Sequence, residues 1–224
     1  MTSKPAQILV WDAAIRLVHW LMVILVPLLW WTAEQGYMDW HKRFGLTMFG
    51  LVLFRLMWGL IGTWTARFGP MLRRIGSLPS YVEKLRNRAD STTFGHSPLA
   101  VLSVFALLLA LAIQVTTGLF SVDVDGLESG PLAVLVSFET GRQFADIHEV
   151  NFNFLAGLIG LHITAIAIYH FILKERLVAP MLTGRRSRTD FSATELPENK
   201  MRLFPVTAAA VLSLIGIIAI SNFG

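Results

Sequence analysis

Three histidines, His148, His162 and His170, stand in one stretch of this sequence, Phe144 to Arg176 (FADIHEVNFNFLAGLIGLHITAIAIYHFILKER). Between Asn151 and Leu173 the stretch is almost wholly apolar and about as long as a bilayer is thick. Ionisable side chains inside a spanning helix are costly, so their default reading is functional. His148 and His162 are fourteen residues apart, which at about 100° per residue returns them to within roughly 40° of one face. Along the axis they are separated by about 21 Å. One imidazole then lies near a membrane surface and the other well inside, both facing the same bundle interior. That pair suits two stacked haems, each taking one axial ligand from this helix. The competing reading has each histidine hydrogen-bonded to a neighbouring helix; it explains any one of them better than it explains the same-face pair.

The whole chain agrees with a membrane setting. Its 224 residues are 54% hydrophobic and only 15% charged, with mean hydropathy +0.58, too little charge for a soluble domain of that size. The length allows four or five spans with short loops and no additional soluble domain. There is no cysteine, which excludes a thiolate-ligated iron–sulfur cluster, a c-type haem attachment and a disulfide. Any redox cofactor must use other ligands, and the six histidines are the candidates. The net charge of +4 and pI of 9.8 do not point to nucleic acid, because in a membrane chain positive residues mark cytoplasmic loops. The N-terminus, MTSKPAQILVWDAAIRLVHW, has no signal-peptide cleavage pattern and is expected to be retained. No HExxH, GxSxG or phosphate-cradling loop offers a different chemistry.

Five apolar runs define the expected spans. The first runs to about Thr32, with a start as early as Ile8, and has Asp12 and Arg16 on its first turns, His19 after them and Pro27 inside. The second starts near Trp40-His41 and ends around Trp64, with Arg55, Gly45, Gly50, Gly59 and Gly62 along it. A polar loop from Thr65 to Gly95 follows. Ser97-Pro98 then gives a helix start, serine as N-cap and proline in the first turn, for a third span from Pro98 to Phe120 that contains Gln114, Thr116 and Thr117. The loop from Ser121 to Ile147 is acidic, with a short helix expected around Pro131 to Phe138. The histidine stretch is the fourth span and Leu203 to Ile220 the fifth.

Loop charge sets the expected orientation. The second loop carries Arg67, Arg73, Arg74, Lys84, Arg86 and Arg88 against Glu83 and Asp90, and the fourth is also basic. The third holds Asp123, Asp125, Glu128, Glu139 and Asp146 with Arg142 alone. The positive-inside rule puts the N-terminus in the cytoplasm, and the acidic loop and, with five spans, the C-terminus outside. Lys42 and Arg43 run against this assignment, with Glu34 and Asp39 beside them. His41 and His148 then begin their spans at the outer surface. His19 lies about thirteen residues below the outer end of span one, and His162 fourteen below His148, so these two share an inner level. Two imidazoles at each of two levels is the arrangement for two bis-histidine haems. Less apolar chain follows His19 than His162; a first helix starting near Ile8, or a projecting fourth helix, would reconcile the depths. Arg55 falls near the inner level, where it either pairs with a haem propionate or snorkels to the cytoplasmic surface. The glycines of span two, with Gly157 and Gly160, either admit a flat macrocycle or make ordinary helix contacts. His96 and His170 are read as quinone, propionate or interfacial residues rather than ligands.

These residues resemble the bacterial cytochrome b561 and Ni,Fe-hydrogenase b-type cytochrome superfamily. The likeness lies in R-x-x-H-W of span one (Arg16, His19, Trp20), H-K-x-x-G opening span two (His41, Lys42, Gly45) and R-L-x-W (Arg55, Leu56, Trp58). It continues in H-E with a histidine fourteen residues on (His148, Glu149, His162). It spans roughly residues 7 to 182. The resemblance implies that His19 and His162 bind one haem b, and His41 and His148 the other. Trp11-Asp12 with Arg16, Gly95-His96-Ser97-Pro98 and the acidic outer loop look like a branch often paired with periplasmic c-type cytochromes. Four-helix relatives lack the fifth span.

The expected fold is therefore all-α: a four-helix haem-binding core over residues 1–182, a cytoplasmic linker over 183–202 and a fifth transmembrane helix over 203–224. The expected protein is a dihaem b-type cytochrome of the bacterial inner membrane, passing electrons between the quinone pool and a periplasmic redox protein such as a c-type cytochrome. Bis-histidine haems bound by His19, His41, His148 and His162, with Arg55 as a further cofactor contact and quinone as substrate, are its chemistry. The alternatives are a superoxide oxidase, against which the acidic outer loop argues because superoxide favours a positive funnel, and a b-type anchor subunit of a hydrogenase-like complex.

Overall fold

The computed structural model describes residues 6–87, 92–191, 196–200 and 202–222; Arg88 and Asp90, counted among the loop charges, lie outside these. Five of its helices are long and apolar enough to cross a membrane: α1 (Ala13–Glu34), α2 (Met38–Ile61), α5 (Pro98–Phe120), α6 (Phe138–Phe171) and α8 (Leu203–Ser221). Shorter helices α3 (Phe68–Ile75) and α4 (Leu78–Arg86) lie between α2 and α5, and α7 (Val178–Thr183) follows α6. The protein is a helical membrane bundle. Large apolar side chains such as Ile24, Leu60, Leu109, Ile163 and Leu212 are more than half exposed, as lipid-facing residues are.

Three helix starts and two loops differ from expectation. The first helix does not reach back to Ile8. Gln7–Leu9 is instead a strand, β1, antiparallel to β2 (Arg185–Ser187), with Ile8 opposite Arg186. Asp12 stops the helix from starting earlier: its Oδ1 accepts the Ile15 N–H at 2.8 Å, an N-cap bond. The fourth spanning helix begins at Phe138, ten residues before His148, because Ser137 caps it by accepting the Thr140 N–H at 3.2 Å. The second begins at Met38 and ends at Ile61, shorter at its far end than expected. The stretch expected as a polar loop holds α3 and α4, whose apolar residues recur at helical spacing and bury Met71 and Tyr81. The short helix expected near Pro131 is one turn of 3₁₀ helix at Ala133–Leu135.

The chain divides into two compact units. The first comprises Met1–Leu17, Met57–Phe105 and Leu161–Val206. Its core holds Val10, Phe94 and Phe191, with Ile8, Trp11, Trp64 and Leu196 packed against them. The described residues of the segment 183–202, expected as a cytoplasmic linker, include some that pair and pack there. β2 pairs with β1, Val10 N–H and Trp11 N–H donate to Gly184 O, and Asn199 Nδ2 donates to Val10 O at 2.8 Å. Gly184 has φ +80°, and a Cβ on it would come within 2.7 Å of Trp11 O, so glycine is required at this helix end. Arg74 donates to Phe94 O and His96 O, each at 2.6 Å, with its guanidinium 5.2 Å from the Trp64 ring centre. Burial lowers the Arg74 pKa; two carbonyls and an indole face replace its lost hydration.

The second unit comprises Val18–Leu56, Ala106–Gly160 and Thr207–Gly224. Here Gly50 meets Ile217 and Gly216 meets Leu53, so small residues let α2 and α8 approach closely. The acidic loop is a compact hairpin, with Asp123 N–H donating to Glu128 O at 2.9 Å and Val122 bridging Ser129. Lys42 pairs with Glu128 at 2.8 Å. The lysine that ran against the charge rule thus answers a carboxylate of the acidic loop.

Candidate functional site

In the second unit α2 and α6 bring the rings of His41 and His148 together, edge to face. Their ring centres are 6.3 Å apart and their planes 79° apart. Each ring is aimed by its Nδ1. His41 Nδ1 lies 3.0 Å from Leu29 O, and His148 Nδ1 lies 2.9 Å from Gln114 O. A carbonyl oxygen can only accept, so each Nδ1 carries the proton and donates. Thr32 Oγ1 stands 3.5 Å from the first Nδ1 and Thr117 Oγ1 3.2 Å from the second. Both threonine hydroxyls also donate back along their own helices, to Leu28 O and Ile113 O. Each ring thus has its Nδ1 engaged by a carbonyl and its Nε2 as the nitrogen left for a metal, the orientation that second-shell carbonyls give to ligating histidines.

The separation fits a bridged metal. A metal–imidazole nitrogen bond is about 2 Å long. Two such bonds in line, with the depth of each ring to its centre, place the centres about 6 Å apart. A direct hydrogen bond between the rings needs a closer approach, whereas edge-to-face packing gives a similar separation. Asn151, one turn after His148, donates from Nδ2 to Gln114 Oε1 at 2.6 Å and Ala110 O at 2.9 Å, pinning the segment whose carbonyl orients His148. Gly118 supplies the seat for that ring: a Cβ there would lie 2.8 Å from His148 Cε1 and 3.2 Å from Nδ1.

The glycines expected to admit a macrocycle divide. Gly50, Gly59 and Gly62 face Ile217, Phe68 and Trp58 and are ordinary contacts. Gly45 and Gly157, both in the second unit, would place a Cβ in open space. His19, also in that unit, packs edge-on to Trp20 with ring centres 5.1 Å apart. Arg55 is 7% exposed, so it does not snorkel to a surface.

In the first unit His162 Nδ1 lies 3.4 Å from Ser103 Oγ. His96 packs at 4.5 Å against Trp11, and His170 is exposed, edge-on to Phe171. Sequence reasoning passed over Gly118, Asn151 and the carbonyls of Leu29 and Gln114. A backbone oxygen has no residue signature, but an asparagine three residues after a candidate ligand, inside a span, is a legible signal.

Compared with known proteins, the chain matches the family model described as prokaryotic cytochrome b561 over residues 10–184. No curated protein and no solved structure matches it.

Proposed function

We propose, from the premise that this chain belongs to the prokaryotic cytochrome b561 family, that it holds two haems b on four histidines and carries electrons between quinone and a redox protein outside the inner membrane. The family makes it a membrane b-type cytochrome of electron transfer that binds haem b. The observation that carries the finer reading is the His41–His148 pair, 6.3 Å between ring centres with both Nδ1 atoms facing carbonyls. In the proposal these two residues hold one haem and His19 and His162 the other. Arg55, buried in an apolar helix, offers its charge to a propionate. Haem bound by two histidines supplies reversible one-electron chemistry with no open iron position. The residues do the rest. The imidazoles would hold the iron, their carbonyl partners would raise ligand basicity, and the apolar helices would keep water out.

A haem assay with reduced-minus-oxidised visible spectra tests this on the purified protein beside His148→Ala and His162→Ala. The expected result is two non-covalent low-spin haems per wild-type chain and loss of a different one in each variant. One haem per wild-type chain would refute half of the assignment, and none would return the histidines to helix packing.

The partner is read from the hairpin. Asp125 is exposed, whereas Glu128 is answered by Lys42, so the docking charge rests chiefly on Asp125 with Asp123 and the exposed Glu139. A basic c-type cytochrome fits that surface. Replacing Asp123 and Asp125 by asparagine and Glu128 by glutamine should slow reduction of such a cytochrome at low salt, and the difference should vanish at high salt. Equal rates at every ionic strength would exclude the hairpin as the docking face.

A further inference from the structure

His41 and His148 are held by the same device on two different helices. On α1, Leu29 O accepts from His41 Nδ1, and three residues on Thr32 Oγ1 stands 3.5 Å from the same nitrogen. On α5, Gln114 O accepts from His148 Nδ1, and three residues on Thr117 Oγ1 stands 3.2 Å from it. Each hydroxyl lies 2.8 Å from the carbonyl four residues back, Leu28 O or Ile113 O, and 3.1 Å from the carbonyl that serves the histidine. Both threonines are buried, and all of these residues belong to the second unit. A threonine bonded to its own helical turn needs no other role. Its recurrence, three residues after the carbonyl that aims each ring, does need a reason. A hydroxyl has one proton and two lone pairs. With the proton given to its own helix, a lone pair is left for the imidazole, so each Nδ1–H is shared between a carbonyl and a hydroxyl.

We propose that Thr32 and Thr117 are positioning residues that lower the reduction potential of the haem held by His41 and His148; this rests on the assignment of those two ligands above. An acceptor on Nδ1–H draws the proton outward and makes the ring a stronger donor through Nε2. A stronger donor favours ferric over ferrous iron in the one-electron couple, and hydrogen bonding around a ligand is one of the protein's means of setting that balance. No bond breaks and no proton leaves the ring. Thr117 stands closer to its histidine than Thr32 does, so it has the larger effect. His162, the ligand assigned to the other haem, meets Ser103 Oγ at 3.4 Å instead, so the two threonines act on one haem alone.

The test is a redox titration of the visible spectrum on purified holoprotein, wild type beside Thr117→Val, Thr32→Val and Thr117→Ser. Valine keeps the branched shape and removes the hydroxyl; serine keeps the hydroxyl. Haem content and melting temperature are read on the same samples. At a fixed applied potential, Thr117→Val should raise the ferrous-to-ferric ratio of the haem that depends on His148 several-fold, up to about tenfold, the worth of one hydrogen bond. For one electron, tenfold is a midpoint about 59 mV more positive. Thr32→Val should shift the same haem in the same direction by less, and Thr117→Ser should titrate as wild type does. The other haem, the haem content and the melting temperature should stay unchanged. Unshifted midpoints in both valine variants would overturn the proposal. So would a shift to more negative potential, which would mean that each hydroxyl competes with the ring for the carbonyl. Equal shifts of both haems, or haem loss that serine does not restore, would make the threonines structural and overturn it too. If His148→Ala instead kept every haem of the wild type, the ligand assignment itself would be refuted, and this inference with it.

Discussion

Gly118→Ala is expected to cost the protein one haem, the same one that His148→Ala removes, while the haem dependent on His162 stays. The added Cβ would lie 2.8 Å from His148 Cε1, closer than carbon atoms tolerate, so something must move. An imidazole that merely packs against α5 would swing aside at little cost, since it is the far end of a flexible side chain. An imidazole that is an axial ligand has no such freedom. Its Nδ1 is held by Gln114 O and its Nε2 would be held by iron, so a displacement of a few tenths of an ångström would work against both. The same substitution therefore has a small effect under the packing reading and a large one under the ligand reading. The measurement is haem per chain together with the low-spin band intensity. We expect about half of the wild-type haem, with little change in helix content by circular dichroism, because an alanine suits a helix better than glycine. Full haem occupancy with unshifted bands would show that His148 is not a ligand.

What the sequence made legible follows from how local each signal is. The bounds of α5, Pro98–Phe120, could be read directly, because Ser97 announces the start and its Oγ accepts the Ala100 N–H at 3.3 Å. The fifth span was equally plain from its unbroken apolar run. The start of α6 was not, because Glu139, Thr140, Arg142, Gln143 and Asp146 interrupt its first ten residues and apolarity was used to find the helix. The cap at Ser137 and the Arg142–Asp146 pair, one turn apart at 3.4 Å, carry that information instead. β1 and β2 were beyond reach: two three-residue strands far apart in sequence leave no periodicity to find. Among the candidate ligands, depth counting matched His41 with His148, and the structure brings those rings together. That proximity is compatible with an α6 that starts earlier than expected, because counting from loop ends tolerates a helix that projects beyond the bilayer.

Asp12→Ala should destabilise the protein more than any other single polar substitution in the first unit. Asp12 is fully buried, and its carboxylate receives three hydrogen bonds from two segments: Ile15 N–H at 2.8 Å on Oδ1, and Thr63 Oγ1 at 2.6 Å and Trp58 Nε1 at 3.1 Å on Oδ2. Alanine removes the N-cap of α1, worth about 1 kcal/mol, and withdraws from two buried donors the acceptor they now use, at about 1–3 kcal/mol each. Because neutral alanine also spares the cost of burying a charge, the net loss falls toward the lower end of that sum, about 3 kcal/mol. In a chain of this size that corresponds to a melting temperature lower by roughly 6–12 °C, read by circular dichroism in detergent. Asp12→Asn separates the contributions. Its one carbonyl oxygen can serve the Ile15 N–H or the Thr63–Trp58 pair but not both, since its amide nitrogen only donates. It should therefore fall between wild type and alanine. A melting temperature for Asp12→Asn as low as that for Asp12→Ala would mean that the negative charge, rather than the geometry of its acceptors, ties the start of α1 to the residues that end α2.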